Sequence, residues 1–98
     1  MYKVIAKVDE LRTEPGHSPC PLFQLNQEFD LSVPEERAKI CKWAVNSFFP
    51  GEIALEFGAR IPFGDNPDRI KIACPDSNRI VVFELRRAEK IPARESGD

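Results

Sequence analysis

Arg69-Ile70-Lys71-Ile72-Ala73-Cys74-Pro75-Asp76-Ser77-Asn78-Arg79-Ile80-Val81-Val82-Phe83-Glu84-Leu85-Arg86 reads as an antiparallel β-hairpin, and the rest of the chain is arranged around it. Ile70, Ile72 and Cys74 recur with the period of two that sets one face of a strand against a core. Pro75-Asp76-Ser77-Asn78 is a connection built of turn-forming residue types. Ile80-Val81-Val82-Phe83 is β-branched and aromatic, and Leu85 continues one of its faces. Apolar residues fall on both faces of this last strand, which marks it as central in its sheet.

Working outward, Tyr2, Val4, Ala6 and Val8 alternate with a mixed face and form a half-buried first strand, expected to pair with the last one. Residues 12–21 hold prolines, a glycine and the single histidine and read as a stiff loop. Phe23, Leu25, Phe29 and Leu31 keep a period of two, with a short strand near Glu28–Leu31. Ser32-Val33-Pro34-Glu35 matches a capping box and opens the main helix, about 33–49. Ile40, Cys41, Ala44, Val45 and Phe48 form its apolar stripe, with Trp43 at the flank, and Pro50-Gly51 is expected to stop it. Residues 52–57 suit either a strand or a short second helix closed by Gly58 in a left-handed cap; the helix is favoured. Ile61-Pro62-Phe63 is extended, and Gly64 to Asp68 is a turn.

The expected fold is therefore α+β: a small antiparallel sheet of three to four strands, with the main helix and the short second helix on one face. Residues 1–87 form a single domain, and the polar, aperiodic stretch 88–98 reads as a flexible C-terminal tail. Ninety-eight residues bury a modest core without disulfide staples. Apolar residues make up 42% and charged residues 31%, which fits a folded domain and argues against disorder. The net charge of −2 lacks the basic surplus that nucleic-acid binding needs. No apolar run approaches a membrane span, and no basic leader precedes an apolar stretch, so a cytoplasmic protein is expected.

Cys20 lies in a Pro-bracketed loop, Cys41 on the helix stripe and Cys74 at a strand end. An odd count leaves at least one thiol outside any internal disulfide. Zinc favours four ligands drawn from close pairs, and the nearest approach to a pair here is His17-x-x-Cys20. Cys20, Cys41, Cys74 and His17 would together make a Cys3His set for zinc; three cysteines with another ligand would suit an iron–sulfur cluster. The competing reading makes Cys41 and Cys74 packing residues, since free cysteine behaves as a small hydrophobe. No nucleophile elbow surrounds Cys20 or His17, and no glycine-rich phosphate loop is present. Asp65, Asp68 and Asp76 lie near turns, where carboxylates cap backbone amides. Trp43, Phe48, Phe49, Phe57 and Phe63 form a dense aromatic set: either core, or in part a ligand pocket or partner-binding patch.

An ordered string of motifs carries a resemblance. The string is the loop Cys20-Pro21, Gln27-Glu28-Phe29-Asp30-Leu31, Ile40-Cys41-Lys42-Trp43-Ala44, Phe48-Phe49-Pro50, Ala54-Leu55-Glu56-Phe57-Gly58, Ile72-Ala73-Cys74-Pro75-Asp76 and Val81-Val82-Phe83-Glu84-Leu85. Over residues 2–87 the chain resembles a family of small prokaryotic proteins of unassigned activity that carry three hallmark cysteines. The resemblance implies a stand-alone cytoplasmic domain and places the hallmark on Cys20, Cys41 and Cys74. The chain departs from that pattern at Leu22 to Gln27, where the family often has a Gly-Asp segment, and at Phe63, where it often has Trp. His17 is not part of the pattern.

Three functional expectations follow. The first is a small accessory or binding domain whose cysteines converge on a metal, an iron–sulfur centre or a thiol sensor. The second is a metal-free protein-interaction module with packing cysteines and an aromatic docking patch. The third, least favoured, is a thiol-dependent enzyme. In the first two the expected partner is another protein, neither nucleic acid nor membrane.

Overall fold

A computed structural model describes residues 1–91. The order of elements is β1 (Tyr2–Thr13), β2 (Glu28–Asp30), α1 (Pro34–Arg37), α2 (Lys42–Glu56), β3 (Arg69–Ala73) and β4 (Arg79–Lys90). The strands form one antiparallel sheet in the order β2-β1-β4-β3. The fold is the small α+β fold expected. The first strand pairs with the last, and the hairpin β3–β4 closes one edge.

Register explains which side of the sheet is dry. Ala6 stands opposite Phe29 and Leu85, and Val8 opposite Phe83. Ile70 and Ile72 stand opposite Leu85 and Phe83. These residues share one face, and α2 packs across it on β1, β3 and β4. Ala44, Phe48 and Leu55 of α2 are fully buried there, and the Phe48 ring meets Phe83 edge-on at 4.9 Å. Phe23 reaches in from the loop before β2 and meets Phe83 at 5.1 Å. A Cβ at Gly51 would lie 3.1 Å from both Ile70 and Ile72, so the missing side chain lets the helix settle onto β3.

The other face is mainly ionic, with Ile5, Ile80 and the buried Val82 set among its charges. Glu28, Lys7, Glu84 and Lys71 stand side by side across the four strands, alternating in sign. Lys3 pairs with Asp30 and Glu89, Lys71 with Asp9, and Arg86 with Glu28. Opposite charges in cross-strand positions stabilise a sheet modestly and keep its face hydrated.

The helix boundaries differ from those expected. The main helix about 33–49 and the second about 52–57 are replaced by a one-turn α1 and a long α2, Lys42–Glu56. The capping box does not form: Ser32 Oγ donates to Asp30, Val33 is the N-cap, and Glu36 instead accepts from the Asp30 amide. After Arg37 the chain tightens through i→i+3 bonds, Lys39 N–H to Glu36 and Ile40 N–H to Arg37, and Cys41 turns extended at ψ 147°. Ile40 is buried at that turn, and a separate helix starts after it. Pro50 and Gly51 lie inside α2. Pro50 is exposed, so its ring faces water, while Gly51 sits against the sheet. Packing on both sides of this pair outweighs its local tendency to break a helix.

Gly58 does adopt the left-handed cap, at φ +84°. β1 continues to Thr13, into the loop expected from residue 12, because Leu11 to Thr13 pair with Val81 to Arg79. β4 runs to Lys90, past the boundary expected at 87, so residues 88–90 of the tail expected over 88–98 are strand; residues 92–98 lie outside the described residues.

Candidate functional site

Helix α2 is apolar on two opposite sides. One side is the core contact just described. On the other, Trp43 is 56% exposed, Phe49 46%, Ile53 50% and Phe57 71%. At about 100° per residue, Phe49, Ile53 and Phe57 lie one turn apart along a single stripe, with Trp43 beside it. Asn46 and the exposed Pro50 fill the surface between them. Isolated surface hydrophobes are ordinary, but a helical stripe of three large ones with Trp43 beside it forms one apolar side.

The aromatic set singled out in the sequence therefore divides. Phe48 is core; Trp43, Phe49, Phe57 and Phe63 are on the surface. Phe63 lines a separate cleft of about 410 Å³ with Asp65, Arg69, Lys71 and Glu84.

A groove of about 640 Å³ runs beside the α2 stripe, between the helix and the start of β1. Phe49 and Ile53 form one wall, Tyr2 and Leu31 the other. Its charged lining is unusual. Glu52 is the buried charged residue of the described chain, at 5% exposure. Arg37 of α1 grips it with both terminal guanidinium nitrogens, Nη2 donating to Oε1 at 3.0 Å and Nη1 to Oε2. The same guanidinium lies 5.8 Å from the centre of the Phe49 ring. Burial pushes the Glu56 carboxyl above the ordinary carboxylate range, and the charge of Glu52 adds to this against the pull of Arg37. Glu56 has no ion-pair partner among the described residues.

The cysteines occupy three different elements around one core. Cys20 in its loop, Cys41 at the α2 N-cap and Cys74 just after β3 are free thiols, partly buried, and all three pack against the main apolar cluster. The Cys74 sulfur is engaged with backbone: Val81 N–H donates to it at 3.4 Å, and the thiol donates to the Arg79 carbonyl at 3.8 Å. His17 is exposed in the 14–21 loop. Among the described residues, no three His, Cys, Asp or Glu side chains are placed to share a metal ion, so the placement lends the Cys20, Cys41, Cys74 and His17 set no support. Among the same residues, no helix is long and apolar enough to cross a membrane.

Sequence reasoning missed Arg37, Glu52, Ile53 and Glu56. A seven-residue spacing, Lys42-Phe49-Glu56 and Trp43-Pro50-Phe57, was the available signal for the outer face. Comparison of the chain with protein-family models, with curated proteins and with solved structures finds no match in any of the three.

Proposed function

We propose that this chain is a small protein-binding domain that meets its partner through the outward face of α2. One observation carries the reading: Trp43, Phe49, Ile53 and Phe57 are all exposed on a helix whose opposite side is already buried. Large aromatic side chains are the residues that dominate contact energies, and each gives about 1.5–3 kcal/mol when fully withdrawn from water. The summed exposed area of the four is roughly 450 Å², within the range of surface patches that serve as contact sites. The ionic face of the sheet offers no comparable apolar area, so recognition is assigned to the helix side.

The test is site-specific photo-crosslinking in the cells that make the protein. A photoreactive phenylalanine analogue at position 53 is expected to give a discrete protein adduct that Phe49→Glu abolishes. The same analogue at position 71, on the ionic face, is the control. Labelling at 53 no different from labelling at 71 would overturn the proposal.

A further inference from the structure

The geometry points to a second copy of this chain as the occupant of the α2 face, the two helices lying antiparallel about a two-fold axis at Phe49. The inference rests on the reading of that face as a protein-binding surface.

The pattern along the helix is self-complementary. Lys42 and Glu56 each lie seven residues from Phe49, about 10 Å to either side along the axis and within about 20° of it in direction. The row therefore reads positive, apolar, negative, with its midpoint at Phe49. A two-fold axis there sets each Lys42 opposite the other copy's Glu56, and stacks Phe49 on its own counterpart. In the parallel arrangement like charges would meet, Lys42 with Lys42 and Glu56 with Glu56, so charge selects the antiparallel one. Trp43 and Phe57 flank the row at opposite ends, with Pro50 between them, and the two-fold brings each toward the other copy's opposite end. Ile53 and Asn46 fill the centre. An isologous contact needs one patch to match itself, and this one does.

Two further observations agree. Neither Lys42 nor Glu56 takes part in an ion pair among the described residues, although many of the other charged side chains do. Glu56 is a half-buried carboxylate beside a second one, short of a cation that the arrangement would supply. The area is of the order that a specific contact needs. Covered completely in both copies, the two patches supply roughly 900 Å², so the polar rims must join the contact for it to reach the ~1,000 Å² that separates specific interfaces from casual contacts.

Sedimentation of the full chain over a wide concentration range tests the inference, with the emission of Trp43, the single tryptophan, as a second readout. The wild type is expected to form a dimer that dissociates on dilution, with a red shift of Trp43 emission as it does so. Lys42→Glu and Glu56→Lys are each expected to weaken it about tenfold, and the double exchange to restore it to within about threefold. Ile53→Asp is expected to be monomeric throughout, with an unchanged far-ultraviolet circular dichroism spectrum. Because Glu56→Lys stands near Arg37 and can disturb folding, Lys42→Glu alone is decisive: an unweakened dimer overturns the antiparallel pairing. A wild type that is monomeric at every concentration overturns self-association. If position 53 then still crosslinks to a different protein, the binding-domain reading survives; if it crosslinks to nothing, both fall.

Discussion

Replacing Arg37 by Met isolates the energetics of the groove. Glu52 is 5% exposed, so its carboxylate cannot recover water when its partner is removed. It would be left as an uncompensated charge in a half-dry site next to the Glu56 carboxylate. Removing one member of a buried pair costs about 3–5 kcal/mol, but the Arg37 side chain is 27% exposed, which lets some water follow it out. A loss of about 2–3 kcal/mol is therefore expected, or roughly 10–20 °C in the thermal midpoint of a domain this size. The double replacement Arg37→Met with Glu52→Leu removes both charges and fills the space, and is expected to return to within about 1 kcal/mol of wild type. Denaturant melts of the wild type, both single variants and the double close a cycle. If Arg37→Met costs less than about 0.5 kcal/mol, or the double variant is no better than the singles, the pair is not buried and coupled as described.

Phe48→Ala empties the contact between α2 and the sheet and is expected to cost about 3–5 kcal/mol, measured as a lowered urea midpoint with unchanged slope. Arg87→Lys should cost about 1–2 kcal/mol and speed amide exchange at residues 57–59: the guanidinium donates to the Leu55 carbonyl at 2.9 Å and to Asp68 and Ala59, and one ammonium cannot span all three. Burial tends to raise the Asp30 carboxyl, but the Ser32 hydroxyl and amide and the Lys3 ammonium together hold it below the ordinary carboxylate range. The folded state thus binds that proton less readily than the unfolded chain, and the stability it contributes is present above the ordinary range. That stability should fade as pH falls below about 4, and Asp30→Asn should flatten the fall in the urea midpoint between pH 5 and pH 2.

The sheet was legible because strand periodicity is set by burial on one face. Tyr2 to Val8 and Ile70 to Leu85 carry that alternation plainly, and apolar residues on both faces of β4 gave away its central place. The helices were less legible because their local signals compete with packing. Ser32 and Glu35 have the capping-box spacing, yet Asp30 takes the serine hydroxyl and Glu36 does the reaching back. Pro50-Gly51 reads as a stop, yet the core contacts of Phe48 and Leu55 hold the helix through it. The outer face was half legible. Its aromatic residues were visible, but a helix apolar on two opposite sides does not declare which one the sheet takes. Gly51, by its close approach to Ile70 and Ile72, fixes that choice. Arg37 and Glu52 were expected in two separate helices, 33–49 and 52–57, and their fifteen-residue separation is no helical neighbour spacing, so nothing in the sequence announced the pair.

The mosaic of lysines, arginines and carboxylates beneath the strands limits how far any assembly can grow. A body that adheres through its helix side has a valence of one. Once that side is occupied, the sheet face it turns outward is a hydrated checkerboard that offers a third molecule little apolar area. A two-fold contact made through that side alone closes into a pair and leaves no open end from which a chain of copies could extend.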